Sequence, residues 1–139
     1  MIKNIVRDVM FLSRKSEPAE RSSAADAQTA RDLQDTLRAH SEECVGMAAN
    51  MIGVNKNIII VNMGLINMVM FNPVITQKSG SYMTEEGCLS LTGTRPVERF
   101  ENITVEYQDM AWKKQKKQFS GWTAQIIQHE VDHLSGKII

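Results

Sequence analysis

The segment "HEVDH" places His129 and His133 four residues apart, with Glu130 between them. On a helix, four residues turn the chain by about 40° beyond one full turn, so both imidazoles lie on one face and can reach a single cation. Glu130 lies about 60° from His133 around the helix axis, close enough to approach a water on that cation. The spacing indicates a metal site, but two histidines do not complete one.

The residues around this segment favour a buried helix. HExxH patterns also occur by accident, and the alternative is a surface helix with two histidines and a solvated acid. Here Ile126, Ile127, Val131 and Leu134 make much of the helix circumference apolar. Buried histidines need polar partners, which favours a functional site.

We expect the third ligand upstream of the histidines. The following segment, "LSGKII", contains no His, Cys, Asp or Glu. Cys88 in "EEGCLS" is the strongest candidate, because Gly87 lets the backbone turn closely beside it. Cys44 and His40 are weaker alternatives, and an isolated cysteine can also be a small buried hydrophobe.

Three segments, "VGMAANMIG", "EEGCLS" and "QHEVDHLSG", resemble in this order the three motifs of the peptide deformylases. The resemblance extends from about Leu33 to the C-terminus. It implies that Cys88, His129 and His133 hold one divalent metal ion, Fe²⁺, with Zn²⁺ or Ni²⁺ able to replace it. It also implies removal of the formyl group from N-formylmethionyl chains, with Glu130 as the general base.

The first motif departs from the family pattern. The family stabilises the developing oxyanion with the backbone N–H after the cysteine, here that of Leu89, and with a glutamine side chain. Met51 stands at that glutamine, Asn50 at the usual proline and Cys44 at the first glycine. A thioether cannot donate a hydrogen bond, and loss of one such donor costs about 10²–10³ in kcat. Whether the Asn50 amide replaces the glutamine stays open at this point.

The resemblance also implies a set of peptide contacts. Backbone pairing would use Val45, Gly46 and Gly87, and the methionine side chain of the substrate would enter a pocket formed by Val45, Trp122, Ile126 and His129. Arg95 would contact peptide carbonyls, and Glu86 would pair with Arg99. Either arginine could instead be a solvated surface charge. Asp132 either orients a histidine or faces solvent.

The elements that must position these residues are visible in the sequence pattern. Ser23 with Asp26 resembles a helix cap, and the apolar residues that follow predict an amphipathic helix over 24–41. β-rich runs predict strands at 57–62, 68–75 and 101–107, followed by a charged edge strand within 108–119. A second helix is predicted from about Ser120 to Gly136. This order predicts one α+β domain over 1–139, with mostly antiparallel sheets packed around the C-terminal HExxH helix.

Composition excludes several function classes. The 16 basic residues balance the 16 acidic residues, so no overall field favours nucleic acid, and sequence-specific binding to it is not expected. The apolar run at 58–61 is too short to span a bilayer, and no signal-peptide pattern begins the chain, so we expect a cytoplasmic protein without a membrane partner. The lysines of "KKQKKQ" at 113–118 are interpreted as an exposed rim, with a weak ribosome contact as the alternative.

Met51 leaves a second function open. The alternative is a weakly active or inactive relative that binds N-blocked peptides, or an enzyme that hydrolyses another N-acyl amide. Retention of Glu130 favours an enzyme, because a binding protein needs no general base.

Overall fold

The fold is described from a computed structural model that covers residues 1–88, 90 and 92–137. Its elements are α1 (Val9–Leu12), α2 (Ala24–Ala39), β1 (Gly46–Ala48), a 3₁₀ turn (Ala49–Ile52), β2 (Ile58–Asn62), β3 (Asn67–Glu86), β4 (Arg95–Gln108), β5 (Lys114–Ser120) and α3 (Gly121–Leu134). The strands form a five-stranded antiparallel sheet in the order β1-β2-β3-β4-β5. This arrangement confirms the predicted α+β class.

Both principal helices begin where the sequence predicts. The Ser23 side chain accepts a hydrogen bond from the Asp26 backbone N–H at 3.1 Å, which satisfies one of the free donors at the start of α2. α2 ends at Ala39, two residues before the predicted bound. Within the described residues, no helix is long and apolar enough to cross a membrane.

The sheet is covered on both faces near β2. Ile58 and Ile60 pack into a core with α2, whereas Ile59 and Val61 pack into a second core with α3. All four side chains are fully buried. This explains why the run at 58–61 is continuously apolar instead of alternating with polar residues.

The hairpin of β3 and β4 is much longer than the predicted strands. Its register shifts between Phe71 and Val74 and again between Ile75 and Gln77, and pairing then continues to Glu86 opposite Arg95. The outer part of β3 is polar and mostly exposed, so it lacks the apolar alternation that marks a strand in sequence. The extension carries Glu86, and Gly87 and Cys88 after it, to the side of α3.

Candidate metal centre and active site

The structure brings together the three residues expected to bind metal. One ligand atom from each of Cys88, His129 and His133 lies within 4.8 Å of the others. His129 and His133 project from one face of α3, with their Nε2 atoms 3.0 Å apart, and both are buried. Cys88, which is half-buried, approaches them from the segment after β3. The two alternative third ligands, Cys44 and His40, are not part of this cluster, and His40 pairs with Glu43.

A buried charge network supports the first histidine. Nδ1 of His129 lies 2.7 Å from Oε1 of Glu86. Arg99 donates to both oxygens of the same carboxylate, with its Nη2 at 2.7 Å, which confirms the expected Glu86–Arg99 pair. Gln125 adds a hydrogen bond at 2.8 Å. Glu86 is therefore an ionised acceptor, so Nδ1 of His129 carries a proton and Nε2 faces the ligand cluster.

The pKa values in this cluster follow from burial and from these bonds. Burial would raise the pKa of Glu86, but hydrogen bonds from His129, Arg99 and Gln125 outweigh it and lower the pKa to about 2. Burial would lower the pKa of His129, but hydrogen bonds with Cys88 and Glu86 raise it to about 10. Burial lowers the pKa of His133 to about 3. The two rings thus occupy electrostatically different environments.

Glu130 is buried beside the cluster, against β1. Burial raises the pKa of its carboxyl group to about 7. Its Oε1 has no hydrogen-bond partner among the described residues. A Cβ on Gly46 would lie 2.9 Å from Oε2 of Glu130 and 2.8 Å from Cγ2 of Ile126, so only glycine allows α3 to approach this closely. The unpaired Oε1 leaves one hydrogen-bonding position of this buried acid open, next to the three metal-ligand candidates.

Glu130 lines a cavity of about 240 Å³. The cavity brings together most of the residues assigned to the substrate, and its lining includes Val45, Gly46, Met51, Gly87, Cys88, Trp122, Ile126, His129 and Glu130. Trp122 is 61% exposed and forms part of the rim. Arg95 is outside the described lining, and its Nη2 donates to the Thr92 carbonyl at 3.1 Å. The substrate roles of all these residues stay predictions.

The structure answers the question about Asn50. Its Nδ2 donates to the backbone carbonyl of His133 at 2.9 Å, and the residue is completely buried outside the cavity lining. The amide therefore holds the 3₁₀ turn to α3 and does not replace the missing glutamine. Met51 does line the cavity, where its sulfur accepts a hydrogen bond from the Ala48 N–H at 3.5 Å.

Sequence reasoning placed Asp132 incorrectly and missed Gln125. Asp132 neither orients a histidine nor lies free in solvent, because its Oδ2 accepts from Nη1 of Arg99 at 2.7 Å. Gln125 lines the cavity and bonds to Glu86. Its position four residues before His129 on a helix was the available signal for a shared face. Leu89, the expected backbone donor, lies outside the described residues.

Comparisons with known proteins agree with this geometry. A family profile for polypeptide deformylase matches residues 2–139. The chain is 52% identical to a peptide deformylase of Clostridium beijerinckii over the full length of both proteins.

Solved structures give the same result. One is the structure of a class I type b peptide deformylase from Acinetobacter baumannii bound to actinonin. It superposes with a TM-score of 0.88 at 31% identity, and the match covers 99% of this chain and 95% of the Acinetobacter chain. Peptide deformylase from Thermotoga maritima gives a TM-score of 0.89 at 25% identity, and the match covers 99% of this chain and 95% of the Thermotoga chain. The profile match and the full-length identity establish that this chain belongs to the polypeptide deformylase family.

Proposed function

We propose that this chain hydrolyses the formyl group from the N-terminal methionine of newly made proteins, using one metal ion held by Cys88, His129 and His133. The observation that carries the proposal is the convergence of these three ligands, within 4.8 Å of one another, beside the buried and unpaired Glu130. Family membership confirms the predicted function class, a metal-dependent hydrolase of the peptide deformylase type.

The residues present fit a small divalent cation. A thiolate with two imidazoles suits Zn²⁺ and Fe²⁺, and three protein ligands leave a position for water or substrate. When bound, the ion would polarise the formyl carbonyl and lower the pKa of a water. Following the family resemblance, we propose Fe²⁺ as the native ion, with Zn²⁺ or Ni²⁺ able to replace it.

The side chains of this protein then have separate roles. Glu130 accepts the proton from the attacking water and passes it to the leaving amine, which its position beside Gly46 at the cavity wall allows. Glu86 holds the Nδ1 proton of His129, which fixes the ring and leaves Nε2 as the nitrogen that would bind the ion. Arg99 fixes Glu86 in turn. The backbone N–H of Leu89 is proposed to stabilise the oxyanion, and Met51 offers no second donor there.

The proposed partners follow from the reaction. N-formylmethionyl peptides would enter past Val45 and Trp122, with Ile126 contacting the methionine side chain, Gly46 and Gly87 near the peptide backbone, and Arg95 contacting the peptide further along. Deformylation of new chains belongs in the cytoplasm. The lysines at 114, 116 and 117 lie on the edge strand β5, where exposed lysines also discourage strand pairing between molecules. A ribosome contact there is a weaker part of the proposal.

The proposal is tested by formate release from formyl-Met-Ala-Ser. Protein prepared without oxygen and loaded with Fe²⁺ should release formate, and Glu130→Gln should reduce kcat by about 10²–10⁴-fold, because the proton acceptor is lost. The glutamine keeps the shape of the side chain. Metal content per chain, measured by elemental analysis, should be equal in both proteins, so that the loss is assigned to Glu130 and not to an empty site.

The same assay separates the alternative functions. Suppose that wild-type protein binds formyl-Met-Ala-Ser but releases no formate, whereas Met51→Gln releases it. The chain is then a peptide-binding relative of the deformylases that lacks activity because it lacks the glutamine. If formate release is absent and an acetylated or propionylated peptide is hydrolysed instead, the acyl group has been assigned wrongly. Equal turnover in wild type and Glu130→Gln would contradict the proposed role of Glu130.

A further inference from the structure

The edge of β1 that faces the cavity is open to pairing. β1 ends the sheet, and its only strand neighbour within the described residues is β2. The Asn62 N–H donates to the Val45 carbonyl at 2.8 Å, and Gly46 is the next residue, opposite Val61. In an antiparallel pair, alternate residues direct their N–H and C=O groups at the neighbouring strand. The carbonyl of Gly46 therefore points away from β2, toward the open edge.

Two sulfur atoms cover this edge. The thiol of Cys44 donates to the Gly46 carbonyl, with sulfur and oxygen 2.9 Å apart. The thioether of Met51 accepts from the Ala48 N–H, which also points outward. Both side chains line the cavity, and both stand where the family motif has another residue type. Two of the outward-facing backbone groups, the Gly46 carbonyl and the Ala48 N–H, are thus bonded to side chains of the protein itself.

A second observation, an unpartnered side-chain oxygen, indicates that a ligand binds beside this edge. Oε1 of Glu130 is buried in the cavity wall and has no hydrogen-bond partner among the described residues. The other oxygen of the same carboxylate lies so close to Gly46 that a Cβ there would be 2.9 Å from it. A peptide that pairs with the Gly46 carbonyl would therefore pass directly beside the unpaired acid.

We propose that Cys44 is a positioning residue whose thiol caps the Gly46 carbonyl and must release it when a formylated peptide pairs with β1. The inference rests on the proposed function for the nature of the peptide. Each binding event exchanges the thiol for a peptide N–H at the same oxygen. The cap therefore weakens peptide binding without contacting the reacting atoms, so its removal changes KM and not kcat.

The thiol is suited to this role because it stays protonated. Burial, with the nearby Glu130 carboxylate, raises the pKa of Cys44 to about 12. The side chain is therefore a neutral donor at physiological pH. This separates it from Cys88, which the proposed function assigns to the metal.

The test compares wild type, Cys44→Ala and Cys44→Ser. KM and kcat are measured with formyl-Met-Ala-Ser, and Kd is measured by calorimetry with the product peptide Met-Ala-Ser. We expect Cys44→Ala to lower KM and Kd by about 2- to 10-fold, the effect of one neutral hydrogen bond, with kcat unchanged. Cys44→Ser keeps a donor at this position and should stay near the wild type.

Peptides methylated at one amide nitrogen at a time locate the competing bond. With the analogue that lacks the N–H paired to Gly46, the advantage of Cys44→Ala should disappear. Thermal unfolding of each variant checks that it is folded.

Three results would overturn the proposal: an unchanged or higher Kd in Cys44→Ala, a decrease in kcat alone, or an equal gain in Cys44→Ser. If wild type releases no formate, the proposed reaction fails, while the Kd comparison still decides the role of Cys44.

Discussion

The two walls of the cavity are held by different kinds of interaction. The wall formed by α3 and the β3–β4 hairpin depends on buried charges, with Arg99 bonded to both Glu86 and Asp132. The wall formed by β1 and the 3₁₀ turn contains neutral contacts through Cys44, Met51 and Asn50. A buried charge requires its partner, whereas a neutral contact can be exchanged at lower cost. The charged wall contains residues of the segments "EEGCLS" and "QHEVDHLSG", whereas the neutral wall contains "VGMAANMIG", in which Asn50 and Met51 differ from the family motif.

The largest effect is expected on stability, when the ion pair of Arg99 and Glu86 in the charged wall is removed. Arg99 and Glu86 are 4% and 8% exposed. Arg99→Met leaves a buried carboxylate without its cation, and we expect a loss of about 3–5 kcal/mol in the free energy of unfolding. Urea unfolding of chelator-treated protein measures this loss. As a control, the double variant Arg99→Met with Glu86→Gln should lose less than the single variant. A single-variant loss below about 1 kcal/mol would show that the pair is effectively solvated.

A smaller effect, on kcat, is expected when the missing amide donor is restored in the neutral wall. Met51→Gln places an amide donor at the cavity position where the family has glutamine. We expect kcat for formyl-Met-Ala-Ser to rise by about 10- to 100-fold, less than the 10²–10³ that one oxyanion donor contributes at a site built around it. Met51→Leu removes the sulfur without adding a donor and should show no gain. An equal rise in both variants would assign the effect to shape and not to hydrogen bonding.

The smallest effect is expected where the two walls meet. Asn50→Ala removes the hydrogen bond from the 3₁₀ turn to the carbonyl of His133, which also accepts from Gly136 N–H and so keeps a partner. We expect a loss of about 1–2 kcal/mol, measured by thermal unfolding. Asn62→Ala, at a less buried asparagine bonded to Asn67, serves as the matched control and should lose less. A larger loss of stability in Asn62→Ala than in Asn50→Ala would contradict the conclusion that Asn50 links the two walls.

Several elements were predictable because their signals are local. The Ser23 cap, the apolar spacing of α2 and the four-residue spacing of His129 and His133 depend only on helix geometry. The convergence of Cys88 with the histidines was expected from the family resemblance. The strand β1 was not predicted, because three residues give too short a pattern to recognise. The outer hairpin was missed because its exposed residues are polar.

The sequence by itself determined the residue types of the site, the helix that carries the histidines and the missing amide at Met51. Only the tertiary structure decided which partners the polar side chains choose: Arg99 for Asp132, the His133 carbonyl for Asn50, and the Gly46 carbonyl for Cys44. The physical reason is that helix periodicity acts over a few residues. Hydrogen-bond partners in a buried site come from segments far apart in the chain, and packing alone brings them within bonding distance.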